Sequence, residues 1–291
     1  MNPSLASLLA KLPSVPAEHA HTSATYDARA REARAAIEQS RFVQSEDARD
    51  QLGAIGEIEL PYCQMGAVDT LDLFGLDELI IFSFYWANRQ RYRRAADIGA
   101  NVGLHSIVMA KCGWAVTAYE PDPRHAGWLR RNLTLNHCDA VTVAEAAVSD
   151  RPGTLEFVRV LGNTTSSHLA GAKSNAYGDL EKFPVTVESI AAIMPQVDFV
   201  KMDAEGQEKT ILLGTTAAQW AQTDMMLEVG SAANAQAIYT HLQHLGVHAF
   251  AQKLGWAEVR RLADMPTSYK EGSLFLTRRS TMPWGPAPTS A

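Results

Sequence analysis

Two carboxylates with a tight turn between them are the residues of this chain best placed to do chemistry. Asp97 stands near the end of a short apolar approach, Ala95-Ala96-Asp97-Ile98, and Gly99-Ala100-Asn101-Val102-Gly103 follows. Glycine takes positive φ without a steric penalty and asparagine tolerates it, so the backbone here can wrap a compact ligand closely. Leu104 to Lys111 continues with apolar residues at helical spacing, predicting a helix whose first N–H groups and positive dipole end face the same place. A carboxylate or phosphate suits that end, and the Asp97 carboxylate suits an ammonium.

The second carboxylate, Glu120, closes the strand-like run Ala115-Val116-Thr117-Ala118-Tyr119, 23 positions after Asp97. Doubly wound nucleotide folds place the acid that grips a ribose diol at an interval of roughly 20 residues. The spacing Gly99-x-x-x-Gly103 lacks the third glycine of the dinucleotide pattern, so an amino-acid zwitterion fits the turn better than a pyrophosphate. A glycine turn or a strand-end glutamate alone is ordinary α/β punctuation. In register, Asp97, the turn and Glu120 read as a site for S-adenosylmethionine.

The elements that must position these residues alternate as α/β units do. Strands are expected at 95–98, 115–120, 141–148, 197–202, 224–229, 247–252 and 273–277, with helices at 123–136 and 233–245. Thr154 to Val160 and Phe183 to Val187 form an excursion with the polar loop Gly162 to His168 between them, where α/β enzymes commonly place substrate-facing parts. Upstream, Leu5 to Leu12 and the Ala-, Arg- and Glu-rich stretch Tyr26 to Leu52 predict helices, the latter with Ile37, Phe42, Val43 and Leu52 as its apolar points. Glu57 to Leu60 and Val68 to Leu73 alternate as a small hairpin, and Leu76 to Arg94 reads as an amphipathic helix. The expected organisation is an N-terminal helical and hairpin appendage over 1–75, a catalytic domain over 76–279, and a disordered proline-rich tail over 280–291 carrying Pro283, Pro286 and Pro288.

Of 291 residues, 26 are basic and 32 acidic, a formal net charge of −6 that argues against a nucleic-acid partner. The one basic run, Arg89 to Arg94, reads as a solvated helix end. Cys63, Cys112 and Cys138 are odd in number and scattered, which suits a reducing compartment better than a disulfide framework. The longest strongly apolar run, Leu79 to Ala87, is too short to span a bilayer, so a cytoplasmic protein is expected. The helical appendage could cover the core or a second subunit in a homo-oligomer.

The ordered motifs Asp97 to Gly103, Tyr119-Glu120-Pro121-Asp122-Pro123, Asn132-Leu133-x-Leu135-Asn136, Ala147-Val148-Ser149-Asp150, Ser166-Ser167 and Val200-Lys201-Met202-Asp203-Ala204-Glu205-Gly206-x-Glu208 resemble the FkbM-type S-adenosylmethionine-dependent methyltransferases. The resemblance covers about Ala95 to Gly230. It implies a seven-stranded class I, Rossmann-like methyltransferase sheet with helices on both faces, and transfer to a hydroxyl of a glycan, sugar or polyketide-like molecule. It also implies cofactor contacts: Asp97, Gly99 and Asn101 around the methionine half, Gly103 in the same cofactor-binding turn, Glu120 at the ribose, Ala146 and Ala147 beside the adenine, and Asp203 near the reacting methyl.

An alcohol is a poor nucleophile at neutral pH, so something must take its proton or lower its pKa. The candidates are Asp203 and Glu205 at the carboxyl end of the fourth core strand, and His168 in the excursion loop, with an imidazole suited to the task. His105 reads as a packed helix-face residue. Whether a metal assists stays open, since Asp203 and Glu228 end neighbouring strands and could share a divalent cation. Asn132 and Asn136 share a helix face and read as capping or packing groups. Trp86, Tyr177 and Trp256 could stack on a sugar ring, although packing is the default for such side chains. An N- or nucleic-acid methyltransferase, or a cofactor-binding sensor without turnover, remain the alternatives.

Overall fold

A computed structural model describes residues 4–42, 48–66, 68–171 and 179–284. Helices α1 (Leu5–Lys11) and α2 (Tyr26–Glu38) precede a ribbon of β1 (Arg49–Gln51) and β2 (Glu57–Glu59), and then α3 (Leu76–Ala87). Next come β3 (Arg94–Ile98), α4 (Leu104–Lys111), β4 (Ala115–Tyr119), α5 (Pro123–Leu135) and β5 (Thr142–Ala144). The excursion consists of β6 (Ala146–Ser149), β7 (Gly153–Val160), β8 (His168–Leu169) and β9 (Leu180–Ser189), ending in α6 (Ile190–Ile193). The chain returns through β10 (Phe199–Met202), α7 (Glu208–Leu213), β11 (Asp224–Glu228), α8 (Ala232–Leu245), β12 (His248–Ala251), β13 (Ala257–Glu258) and β14 (Ser273–Thr277).

The large sheet has the order β13-β12-β14-β11-β10-β3-β4-β5. It is parallel from β5 to β11, and β14, β12 and β13 add antiparallel pairings. Eight strands stand where seven were expected, because the two-residue β13 extends the edge. Alternate residues of the central strands feed two cores: Ala95, Phe199, Met226 and Phe275 face α3, α4 and α5, whereas Ala96, Val200, Leu227 and Leu276 face α6, α7 and α8. From β3 the chain runs outward to β5 and later re-enters beside β3 as β10. This reversal leaves a crevice above the carboxyl ends of β3 and β10, where open α/β sheets take their ligands.

Several expectations are corrected. The 141–148 strand breaks at Glu145: β5 pairs with β4, while β6 leaves for a second sheet of order β6-β9-β7-β8. His168 lies in β8, opposite Val158, and not in a loop. The helix expected over 26–52 ends at Glu38, and the ribbon pairs Arg49 to Gln51 with Glu57 to Glu59, leaving 72–74 as a 3₁₀ turn. Helix α3 is buried almost all round, because the sheet lies on one side and the N-terminal segment on the other. Leu5, Leu8, Leu9, Leu12, Ile37 and Phe42 belong to the same buried cluster as α3. Trp284, expected in a loose tail, packs on Phe84 and Trp256, and the Pro283 carbonyl accepts from Asn88. Val43, Tyr177, Pro286 and Pro288 lie outside the described residues.

The two asparagines on α5 act as braces. Asn132 donates to the Val102 carbonyl in the glycine turn at 2.8 Å. Asn136 treats Glu59 of β2 as a strand would, accepting from its N–H at 2.9 Å and donating to its carbonyl at 2.6 Å. Replacing Asn136 by Ala strands both buried backbone groups of Glu59. A loss of about 2–3 kcal/mol is expected in urea denaturation, and a loss under about 0.5 kcal/mol would refute the brace.

Candidate active site

The site grows from the join of β3 and β10. The Asp203 N–H donates to the Ile98 carbonyl at 2.9 Å, and the Asp203 carbonyl oxygen lies 1.8 Å from where a Cβ on Gly99 would sit. Gly99 and Asn101 both take positive φ, 76° and 51°, curling the backbone so that the Gly99 and Ala100 N–H groups both donate to the Tyr119 carbonyl. Only glycine permits this contact. Gly103 is different: its missing side chain makes room for Leu129 of α5, and it is not among the residues lining the cleft. Its packing against Leu129 is a second demand on the same glycine, beside the cofactor contact expected of it.

The cleft, about 260 Å³, is lined by Gly99, Asn101, Glu120, Ala146, Ala147, His168, Asp203 and Glu205 among others. Seven of the eight residues singled out for the cofactor therefore border it or the join beside it, Asp97 standing just beneath. Glu120 is nearly buried, and its two oxygens accept from the N–H groups of Asn101 and Asp122, each at 2.8 Å. Burial pushes its carboxyl up to about 7; those N–H groups oppose the rise, and the charges of Asp122 and Asp97 add to it.

Asp97 is 0% exposed. Its Oδ2 accepts from Ser106 on α4 at 2.6 Å, while Oδ1 has no hydrogen-bond partner. Lys201 stands on the next strand, with Nζ 3.9 Å from Asp97 Oδ1 and 3.7 Å from Asp203 Oδ2. Burial pulls the Lys201 ammonium down, but Asp203, Asp97, Glu78 and Glu228 outweigh it and hold it above its ordinary value. Glu228 is driven well up, first by burial and then by Asp203 and Glu78. Glu78 is kept low despite burial, because His105 Nε2 lies 2.8 Å away and Lys201 is near. His105 also bonds the Tyr85 hydroxyl through Nδ1 at 3.0 Å, so it belongs to this charged cluster and is more than a packed helix residue.

A second buried network fastens the excursion to the core. Asp122 caps α5 by accepting from the Arg124 N–H, and it receives two hydrogen bonds from Arg159 of β7, at 2.7 and 2.6 Å. Burial pushes Asp122 up, but Arg159 and the Arg124 N–H hold it below the usual carboxylate range. Arg159 also donates to Glu181 of β9 and lies over the Phe183 ring. Above it, His168 is 3% exposed and on the cleft wall. Its Nδ1 lies 2.9 Å from the Ser166 carbonyl, which can only accept, so a neutral ring carries its proton there and leaves Nε2 as a base. His125, at the start of α5, also lines the cleft; its Nε2 is unpartnered, and burial holds it below its ordinary value.

Glu205 lines the cleft with φ 49°, and Glu208 ties down that loop by accepting from the Ala204 and Gly206 N–H groups. Trp86 carries Arg89 on its ring, and Trp256 donates to His19 against Trp284, so neither faces the cleft. Arg89 and Arg91 bond the end of α3, as the helix-end reading expects. Among the described residues no group of three or more His, Cys, Asp or Glu is arranged to hold a metal ion. Lys201, Arg159 and His125 carried no role in the sequence reading; a charged residue inside the apolar strand Val200-Lys201-Met202 was the available signal for the first.

A parallel sheet with an antiparallel β14 inserted beside β11, a glycine turn at the switch point, and acids at the ends of β3 and β4 define an S-adenosylmethionine-dependent methyltransferase. The chain belongs to the FkbM methyltransferase family: the family model described as the Methyltransferase FkbM domain matches residues 97–254, more than half of the chain. Its methyl donor is S-adenosylmethionine, and the residues present suit that group, since the Oδ1 atoms of Asp97 and Asn101 are buried acceptors without donors. No curated protein matches the chain.

Among solved structures it is similar to a precorrin-6y C5,15-methyltransferase from Geobacter metallireducens GS-15, with 13% identity, 67% of this chain and 84% of that one covered, and a TM-score of 0.36. It is similar to an O-methyltransferase from Bacillus cereus in complex with SAH, with 13% identity, 64% and 74% covered, and a TM-score of 0.33. A ribosomal protein L11 methylase from Lactobacillus delbrueckii subsp. bulgaricus gives 13% identity, 68% and 78% covered, and a TM-score of 0.34. Similarity at this level says nothing of the acceptor. No helix among the described residues is long and apolar enough to cross a membrane.

Replacing Arg159 by Met leaves Asp122 buried without its cation. A loss of about 3–5 kcal/mol is expected in chemical denaturation, and Asp122→Asn in the same chain should restore most of it. If the double variant is as unstable as the single one, the ion pair is not what holds the excursion in place.

Proposed function

We propose that the chain methylates a hydroxyl of a small-molecule or glycan acceptor, with His168 as the general base. The observation that carries this reading is the tautomer imposed on His168: the Ser166 carbonyl holds the proton on Nδ1, so Nε2 is free to accept one at the cleft wall. A fixed imidazole base suits an alcohol, whose oxygen must give up its proton as the methyl arrives. The carboxylates Glu120, Asp203 and Glu205 along the cleft oppose phosphate-bearing acceptors, which weighs against nucleic acid.

S-adenosylmethionine, when bound, supplies an electrophilic methyl on a sulfonium. The chain's part is to hold, orient and dry the reactants. In this reading Asp97 accepts from the methionyl ammonium, Glu120 from the ribose hydroxyls, and Ala146 and Ala147 border the adenine. Asp203, whose side chain is 48% exposed, faces the reacting centre and orients the acceptor, with Glu205 beside it. Val68 and Leu73 also line the cleft, so residues 1–75 would complete the acceptor wall of a catalytic unit over 76–279.

The test is transfer of labelled methyl from the cofactor into fractionated glycans and metabolites of the source. Alkali-stable, non-basic methyl ethers are the expected products; labelled amines or alkali-labile esters would overturn the hydroxyl assignment, and labelled RNA would overturn the small-molecule or glycan acceptor. His168→Ala should lower kcat about 10²–10⁴-fold while S-adenosylhomocysteine affinity stays within about threefold. Wild-type turnover would remove His168 from the mechanism.

Glu120 supplies a pH test with a fixed sign. Ribose hydroxyls donate, so they favour the ionised carboxylate, which is depleted below the raised value of about 7. Affinity for S-adenosylhomocysteine should therefore rise up to about tenfold per pH unit on going from about pH 5 to 7, then level off. Glu120→Gln should weaken binding and flatten the profile. A wild-type titration flat across this range would refute the ribose contact.

A further inference from the structure

The Lys201 ammonium has three N–H donors and a side chain only 13% exposed, yet its nearest carboxylate oxygens, on Asp203 and Asp97, are 3.7 and 3.9 Å away. Both lie beyond hydrogen-bond reach. Two small cavities meet at this ammonium. One runs over the glycine turn and the start of α4, lined by Gly99, Ala100, Asn101 and His105. The other lies over the ends of β10 and β11, lined by Asp203, Glu228 and Ser273.

Beside the ammonium sits its complement, the fully enclosed Oδ1 of Asp97, which has no donor. Buried charges left this way are costly unless a ligand completes them. A lone acceptor and an under-bonded cation less than 4 Å apart match a group bearing an ammonium and a carboxylate on one carbon. Leu104 and His105, the first residues of α4, line the same cavity, and a helix N-terminus favours an anion beside it.

We propose that Lys201 is the carboxylate-binding residue of the cofactor site: its ammonium takes the α-carboxylate of the methionyl group while Asp97 takes the neighbouring ammonium. The proposal rests on the cofactor placement above and adds what that placement lacked, a partner for the acid end of the zwitterion. Lys201 also sits between Asp97 and Asp203, so the competing account makes it a neutralising strut that touches no ligand.

Calorimetry on the full chain separates the two accounts with three probes: S-adenosylhomocysteine, its decarboxylated analogue that keeps the amine, and 5′-methylthioadenosine, which has neither group. Lys201→Met should weaken S-adenosylhomocysteine about 10–100-fold, the range expected for one charge-assisted hydrogen bond. It should leave 5′-methylthioadenosine within about threefold and the decarboxylated amine equally or more tightly bound, since the surrounding acids then face the amine alone. Lys201→Arg should recover part of the loss. Equal weakening of all three probes, or no selective loss for the carboxylate-bearing one, would overturn the assignment in favour of the strut.

Should Lys201→Met fail to fold, wild type decides: the decarboxylated amine must bind at least about tenfold more weakly than S-adenosylhomocysteine, and equal affinity overturns the proposal. Wild type that binds none of the probes would instead overturn the underlying cofactor placement.

Discussion

The contact between Gly99 and the Asp203 carbonyl sets the geometry of everything around it. Two strands that are neighbours in space but about a hundred residues apart in sequence must end at the same level, with their following loops in van der Waals contact. A single methyl at position 99 has no room, so the loops would separate. The distances from Lys201 to Asp97 and to Asp203 would change with them, because all three residues ride on β3, β10 and their carboxyl ends. Positive φ at Gly99 and Asn101 is the local price of that approach, and it is held in place by Asn132 gripping the Val102 carbonyl from α5.

Burying this many charges is the second constraint, and the molecule meets it in two ways. Asp122 and Arg159 are satisfied within the protein by paired, short hydrogen bonds, which makes them a structural rivet between the core and the β7–β9 sheet. The cluster of Glu78, Asp97, Asp203 and Glu228 around Lys201 is left incompletely bonded, with one acceptor orphaned and one carboxyl driven up. A completed network serves the fold, whereas an incomplete one at a sheet's switch point is what a ligand site would leave for its ligand to complete. The net negative balance of the cluster also suits a donor that carries a sulfonium, a charge absent from the product after transfer.

Much of this was legible in the sequence because it depends on local chemistry. The glycine turn, the strand-end acids and the alternation of strands and helices follow from short-range rules, and they located Asp97, Gly99, Asn101 and Glu120 at the crevice. The split of the third strand at Glu145 was not legible: no glycine or proline marks it in Val143-Ala144-Glu145-Ala146-Ala147, and only the competition between β4 and β9 for hydrogen bonds decides it. His168 was misplaced in a loop for the same reason, since β8 exists only because β7 offers an edge at Phe157 and Val158. The packing demand on Gly103 was also not legible, because a glycine required by a packed Leu129 looks identical, in one dimension, to a glycine required by a ligand.

The acceptor side is harder to read than the cofactor side for a physical reason. The wall proposed for it draws on three segments remote in sequence that line the cleft: Val68 and Leu73 ahead of α3, residues of 164–169 in the excursion, and residues of 203–207 after β10. They are joined by contacts with no sequence signature, such as the Thr164 N–H donating to the Met65 carbonyl at 3.0 Å, and the Asn136 brace that fixes the ribbon before them. The buried Asp122–Arg159 pair is one of the links that hold the β7–β9 sheet, and with it the excursion segment, against the start of α5. On the proposed reading, the switch point fixes the methyl donor by short-range rules, while selectivity for the acceptor would rest on residues that local sequence rules do not mark.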